Sequence, residues 1–521
     1  MIDLAPKYLE IIQHILAEHV PKCEVRAFGS RVKWTAQDYS DLDLAVIGSE
    51  PLNLRQLRQL KEAFEESNLP IRVDVVDWQS VSDWFRNVIS EKYEVVQEPE
   101  SVRKNNEWQI KAWGDCATLV RESVSPSDLN DTPYIGLEHI GENTLSLVGY
   151  DVASSVTSTK SRFKQGDILF GKLRCYFRKV IRAPFDGICS TDIWVTRAKE
   201  GVDQGFLYYC MASQSFIDFA NSGSEGTRMP RTTWEWVSQY KIPLPTLSEQ
   251  RQIAHILGVL DEKIELNRQM NETLEAIARA IFKSWFVDFD PVRAKMEGRQ
   301  PAGMDVETTA LFPSAFQDSP LGEIPEGWEV GTVSEEFNLT MGQSPPGSTY
   351  NEDGDGMSFY QGRKDFGFRY PTRRVYCNAP TRLAKKDDTL VSVRAPVGDI
   401  NMAEEKCCIG RGVAAIRHKT GSRSYTYYAM QFLREDFALY EAEGTVFGAI
   451  NKTGFQTLSQ LRPSDGIIEA FERLVYPFDQ SIENNENQSR TLSQIRDALL
   501  PKLLSGEVRV KQIEEQLNGS N

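Results

Sequence analysis

The sequence predicts a multi-domain α/β chain: an amino-terminal α/β domain, then two α+β modules that each end in the same long helix. Three observations lead there. The segment DEKIELNRQMNETLEAIARAIF, from Asp261 to Phe282, returns 218 residues later as DQSIENNENQSRTLSQIRDALL, from Asp479 to Leu500. The copies share Asp261/Asp479, Ile264/Ile482, Glu265/Glu483, Asn267/Asn485, Thr273/Thr491, Leu274/Leu492 and Ile277/Ile495. Ahead of each copy, short β-type runs lead into a helix-like stretch, FLYYCMASQSFIDFA in the first and YTYYAMQFLREDFALY in the second. The first hundred residues lack this repeat and alternate helical and strand patterns.

Residues 1–98 open on an amphipathic helix, followed by strand-like EVRAFGS and DLDLAVIG, a helix around Leu54 to Ser67, and a third strand, IRVDVVDW. The polar run EPESVRKNN is a linker. The first module, 108–245, carries the β-type runs YIGLEHI, DILFGKL, KVIRAP and ICSTDIWVT, a glycine-rich loop NSGSEGTRMPR, and a closing strand KIPLP. A central helix at 246–290 starts in LSEQRQ with Ser248 as a candidate cap. Residues 291–325, rich in Pro, Gly and charge, are a linker with little core of its own. The second module spans 326–463 and the distal helix 464–510. Trp108 and Trp328 stand at the two module entries, GDILF parallels DDTLV, and the loops differ throughout.

In the central helix the positions Ile253, Leu257, Leu260, Ile264, Asn267, Asn271, Leu274, Ala278, Ile281 and Trp285 step by four and three, a heptad seam. The shifted copy gives Phe471, Val475, Phe478, Ile482, Asn485, Ser489, Leu492, Arg496, Leu499 and Leu503. Asn267 and Asn485 occupy the same seam position, where a buried amide costs stability and fixes register.

The 521 residues suffice for roughly three or four domains. Nothing approaches the ~18 apolar residues of a membrane span, and a cytoplasmic protein with no membrane partner is expected. Eight scattered cysteines form no CxxC pair and are read as buried thiols. The net charge of −15 is uneven. Lys160 to Arg182 holds eight basic residues against Asp167 alone, and Tyr360 to Tyr425 holds 14 against 6 acidic ones. Each module therefore carries one basic stretch suited to phosphate contact.

The amino-terminal domain has a signature of its own. Gly29-Ser30 is followed after ten residues by Asp41-Leu42-Asp43, and Asp74 lies in the next strand. Carboxylates at i and i+2 share a strand face, and a third on a neighbouring strand completes a divalent-metal site. A Gly-Ser turn lets backbone amides approach a triphosphate held there.

Two resemblances follow from these residues. The block LPTLSEQRQIAHILGVLDEKIELNRQMNETLEAIARAIFKSWFVDFDPVRAK, with its second copy ending in ALLPKLLSGEV, resembles the conserved helices of type I restriction-modification specificity subunits. The likeness covers about residues 108–510. It implies two target-recognition domains held apart by an antiparallel coiled coil of the two helices, each reading one half of a split, asymmetric sequence in double-stranded DNA. It also implies two modification (methyltransferase) subunits as partners, which bind S-adenosylmethionine, and ATP-driven restriction/translocase subunits, while the recognition part has no chemistry of its own.

The GSx10DxD pattern, with Arg31 following, is similar to the minimal nucleotidyltransferases of the DNA polymerase β superfamily, antitoxin type. This resemblance implies catalytic and Mg2+-binding Asp41, Asp43 and Asp74, nucleoside triphosphate binding by Gly29, Ser30 and Arg31, and AMP transfer to a protein. The acceptor is open: a helical toxin partner, a restriction subunit, or the specificity part itself.

Base edges and phosphates are met by Lys, Arg, Asn and Gln. In the first module the candidates are Lys160, Arg162, Lys164, Lys172, Arg174, Tyr176, Arg178 and Lys179, with Arg228 and Arg231 in the glycine-rich loop. In the second they are Gln343, Tyr360, Arg363, Lys364, Arg369, Arg373, Arg374, Arg394 and Arg411. Two functions stay open: a DNA specificity subunit with a fused nucleotidyltransferase-like domain, or a protein nucleotidyltransferase of toxin-antitoxin or phage-defence type that uses the remainder for targeting.

Overall fold

The computed structural model describes residues 2–37, 40–99, 108–224, 226, 228–442 and 448–510. It comprises two compact units, Met1–Leu257 with Leu500–Asn521, and Gly258–Leu499.

The amino-terminal domain is a four-stranded sheet in the order Val73–Asp77, Leu42–Ile47, Glu24–Phe28, Glu94–Gln97. Only its first pair is parallel; the other strands run antiparallel. Helices Pro6–His19 and Leu54–Glu65 cover one face, with Ile12, Leu16, Leu60 and Phe64 buried against Val25, Leu44 and Val75. Asn53 and Gln56 form a capping box that starts the second of these helices. A further helix, Asp83–Glu91, capped by Ser82, packs Ile89 and Phe85 against Phe28, and it delivers the edge strand Glu94–Gln97. Neither of these last two elements was expected from the sequence pattern.

The two modules follow one plan. Their ends meet in a short antiparallel pair, Gln109–Ala112 with Lys241–Leu244 in the first and Glu329–Thr332 with Ser459–Arg462 in the second. The first has a four-stranded sheet ordered Val180–Arg182, Ile168–Gly171, Ile193–Ala198, Ala117–Val120, and the second one ordered Ile400–Met402, Thr389–Ser392, Val413–His418, Phe337–Met341. Each also has a five-stranded sheet with one parallel pairing, Gly187–Cys189 with Pro133–Ile135 and Cys407–Ile409 with Met357–Tyr360. The runs Ile168–Gly171 and Thr389–Ser392 are buried at every position, as central strands covered on both faces must be. All eight cysteines are buried free thiols.

The closing strand of each module leads directly into a long helix, Leu247–Phe286 or Asp465–Ser505. None of the heptad positions named above is exposed on either helix. In the unit Gly258–Leu499 the helices meet through polar contacts. Asn267 Nδ2 donates to Gln488 Oε1 at 2.9 Å and Ser489 Oγ at 3.1 Å, Asn485 Nδ2 donates to Asn271 Oδ1 at 2.9 Å, and Arg496 Nη1 pairs with Asp261 Oδ1 at 2.7 Å. Partner numbers fall as positions on the first helix rise, so the segments run in opposite directions. No described helix is long and apolar enough to cross a membrane.

Residues 291–325 correct the expectation of a linker with little core. They form helices Asp290–Met296 and Val306–Leu311 and the hairpin Phe316–Ser319/Gly322–Pro325, and Val292, Phe312 and Ile324 are buried in the second module's core. Composition rich in Pro and Gly marked the turns and hid the few apolar anchors. Helix ends seal each half alike. Phe286 and Phe289 pack on Trp328 at 6.0 and 5.7 Å between ring centroids, and Arg509 lies 4.7 Å over Trp108, whose Nε1 donates to Glu249 at 3.0 Å.

Candidate nucleic-acid interface and carboxylate site

In the first module residues 172–178 and 228–232 are stitched together. Thr232 N donates to Lys172 O at 3.1 Å, Arg174 N to Pro230 O at 2.8 Å, and the Arg174 guanidinium to Arg228 O at 3.2 Å. This joins Lys172, Arg174, Tyr176, Arg228 and Arg231 in one patch, with Arg174, Tyr176 and Arg228 exposed. Arg231 is steadied by Asp192, Nε to Oδ1 at 2.9 Å, and the hydrogen bond from Arg231 holds the Asp192 carboxyl below its ordinary range. Asp192 lies outside the basic stretch Lys160 to Arg182, so counting charge along the sequence did not bring it to Arg231.

Other members of the first cluster are placed elsewhere. Lys160 is buried, its ammonium held by Ser158 at 2.6 and 2.8 Å, and burial pushes its pKa down. Arg178 is buried and donates to Ala212 O at 2.7 Å. Both are corrected from DNA contacts to internal braces. Lys179 donates to Leu137 O at 2.7 Å, Arg162 pairs with Glu122 at 3.2 Å, and Lys164 is exposed on the turn before Ile168.

The second module repeats the stitching with other residues. Ala395 N donates to Gly448 O at 2.9 Å and Ile450 N to Val393 O at 3.1 Å, which presents exposed Arg394. Gln343 and Arg411 are exposed on adjoining loops, tied by Gln343 N to Ile409 O at 3.0 Å and Arg411 N to Ser344 Oγ at 3.2 Å. Lys364 is exposed; Arg363 pairs with Asp399 at 2.9 Å, Arg373 with Glu404 at 3.1 Å, and Arg374 with Asp365 at 2.9 Å. Tyr360 and Arg369 are corrected. Tyr360 is 2% exposed in the core, and Arg369 is 0% exposed, paired with Asp479 and Glu275.

In the amino-terminal domain Asp43 stands opposite Asp74 across the parallel pair and opposite Phe28 across the antiparallel one. Gly29, next in the chain after Phe28, has φ 82°, and a Cβ there would lie 2.2 Å from Asp43 Oδ2. Both the left-handed backbone and the carboxylate demand glycine. Burial raises the Asp43 carboxyl above its ordinary range, and the charges of Asp74 and Asp41 raise it further. Ser30 opens the short helix Ser30–Lys33. Arg31 is a correction: it is buried, with Nη1 donating to Asp3 O at 2.8 Å and Nε to Ser40 O at 2.9 Å, and so it braces Ser40 beside Asp41. A cation that sequence reasoning missed, Arg72, pairs with Asp74 at 3.2 Å.

Among the described residues no three His, Cys, Asp or Glu side chains are gathered at metal-binding distances. The donor set still fits a hard divalent cation: Asp43 and Asp74 face each other across the strand pair, and the burial that chiefly raises the Asp43 carboxyl, with the added charges of Asp74 and Asp41, is offset by such an ion.

Residues 105–276 match the type I restriction modification DNA specificity domain, and residues 10–101 match the polymerase β nucleotidyltransferase domain. The chain is 28% identical over 426 residues to the putative type I restriction enzyme MjaX specificity subunit of Methanocaldococcus jannaschii, covering 78% of this chain and 94% of that protein. It is 26% identical over 404 residues to the type I restriction enzyme HindI specificity subunit of Haemophilus influenzae, covering 67% and 88%. Its amino-terminal part is 50% identical over 99 residues to the probable protein adenylyltransferase MntA of Haemophilus influenzae, covering 19% of this chain and 87% of that protein. The chain carries a type I restriction modification DNA specificity domain with an MntA-like nucleotidyltransferase domain of the polymerase β type fused ahead of it, and the relatives it resembles beyond that domain are type I restriction enzyme specificity subunits.

Proposed function

We propose that the two modules read the two halves of a split, asymmetric DNA target and that the paired helices, as an antiparallel coiled coil, set the spacer between them. The observation that carries this is the shared plan of the modules combined with their unlike loops: Arg174, Tyr176 and Arg228 stand where the second module offers Arg394. One scaffold with two loop sets suits one task on two sequences. Exposed Arg and Lys position the duplex through phosphates, and their neighbours read base edges. The chain would recruit two modification subunits, which supply S-adenosylmethionine, and the ATP-driven restriction subunits. Sequencing of methylated adenines in the host, with and without this gene, tests the proposal: one bipartite motif should vanish with the gene.

A second activity is favoured by the fit of Gly29 to Asp43. Asp41, Asp43 and Asp74 would hold Mg2+, which supplies charge neutralisation for a nucleoside triphosphate. Gly29 and Ser30 would let backbone amides meet the phosphates. Transfer of AMP to a protein is the reaction this arrangement serves, and labelled ATP with purified chain and Mg2+ tests it.

A further inference from the structure

The two halves of the repeat part company at one buried charge. Asp261 and Asp479 are repeat mates, one on each long helix. Asp261 is met by Arg496 from the opposite helix at 2.7 Å. The residue that stands to Asp479 as Arg496 stands to Asp261 is Ala278, fully buried and without charge. Asp479, itself fully buried, takes its cation from the second module: Arg369 Nη1 lies 2.6 Å from its Oδ1. The same guanidinium reaches Glu275 on the first helix at 3.0 Å, donates to Tyr428 Oη at 3.0 Å, and sits 3.9 Å from the centre of the Tyr427 ring. One side chain thus ties a module loop and a module helix to both long helices.

The loop end of this tie is equally fixed, since Met402 N donates to Arg369 O at 2.9 Å and Asn401 Nδ2 to Gly367 O at 3.0 Å. That loop, residues 363–374, also presents Arg363, Lys364, Arg373 and Arg374. Two other bridges from this module to the helices, Lys386–Glu483 and Arg490–Glu404, use half-exposed cations, and such pairs contribute little; a third, from buried Arg423 to Glu483 at 3.3 Å, reaches the distal helix alone. A buried ion pair is a poor source of stability, and its best-attested use is to specify one register.

We infer that Arg369 is a positioning residue: it keys the basic loop of the second module to both helices, so that the second half of the DNA target is read in fixed register with the first. It touches no DNA itself. The inference rests on the reading of the modules as readers of a split target.

The test moves the charge without removing it. In the full chain, Arg369→Ala combined with Ala278→Arg offers Asp479 a cation from the first helix, as Arg496 does for Asp261. A second variant, Arg369→Met with Asp479→Asn, deletes the pair while keeping volume. Both are compared with the unaltered chain in selection from a duplex pool that carries both half-sites and a range of spacers. The first variant should melt near the unaltered chain, yet both should select more than one spacer length. Affinity for the best duplex should fall about tenfold, comparable to one mismatched base pair. A variant that folds and keeps a single spacer at unaltered affinity overturns the inference, because the pair would then serve folding alone. Absence of sequence-selective binding by the unaltered chain overturns instead the reading on which it rests.

Discussion

Asn485 donates its side-chain amide to Asn271 Oδ1 at 2.9 Å, and the repeat mate of that bond is the one from Asn267 to Ser489 Oγ at 3.1 Å. The two are exchanged by the twofold relation that the 218-residue repeat implies. A layer of amides lies inside a mostly apolar seam, and the bonds from Asn267 Nδ2 and Asn485 Nδ2 form in this alignment of the helices. Shifting one helix by a heptad would set Asn485 against Ile264 or Ala278, and Asn267 against Ile482 or Arg496.

Breaking one partner of this layer should cost more than replacing the layer. Asn271→Leu leaves the Asn485 amide without its acceptor and removes the donor to Glu486, and thermal or denaturant unfolding should show a loss of about 1–3 kcal/mol. Leucine at Asn267, Asn271, Asn485 and Ser489 together should recover that stability but admit more than one register. Cysteine cross-linking at several helix pairs would then trap more than one pairing, where the unaltered chain yields one.

The seam was legible because a heptad pattern needs only periodicity, and position 267 recurs at 485 as the same amide. The pairing of Asp43 with Asp74 follows the strand pattern read in DLDLAVIG and IRVDVVDW, whereas Asp41 lies just ahead of its strand. Basic residues were not legible. Lys160 and Arg369 look like Arg174 and Arg394 in sequence, and only packing reveals which ammonium or guanidinium is spent on an internal partner. Asp479 carried the missed signal, an acid shared by both repeat copies on a helix whose opposing seam position is Ala278.

Salt dependence separates these two kinds of cation. Arg174→Ala and Arg228→Ala should each weaken binding across sequences, and each should remove one phosphate partner, flattening the plot of log affinity against log salt by about 0.9. Arg178→Met should leave that slope unchanged once folding is verified, because its guanidinium is committed to Ala212 O. A slope that falls for Arg178→Met would return that residue to the DNA surface.

The Asp192–Arg231 pair has a pH signature. A carboxyl with a depressed folded pKa contributes stability present above its unfolded value, about 3.9, and lost as pH falls through the folded value. In Arg231→Ala the Asp192 pKa should rise toward the unfolded value, and this part of the acid dependence should vanish. Carboxyl NMR titration of Asp192 measures both.

In the amino-terminal domain Gly29→Ala would drive a methyl group into Asp43 Oδ2, and Asp43→Asn would remove a metal-binding charge. Both should abolish Mn2+ binding measured by calorimetry and any transfer from labelled ATP. Neither should alter DNA affinity, since the recognition modules have their own cores. Asp43→Asn should also leave the metal-free domain no less stable, because it removes a charge disfavoured by burial and then by Asp74 and Asp41.

Because the helices run in opposite directions, lengthening the first alone would leave its insert unmatched. One heptad added to both at facing positions should extend the pair by about 10 Å, or about three base pairs of duplex. Sequencing of methylated adenines in cells carrying that variant measures the recognised spacer directly. Both half-sites should be unchanged and the spacer about three base pairs longer; both half-sites read at the original spacing would contradict the role of the helices as the ruler.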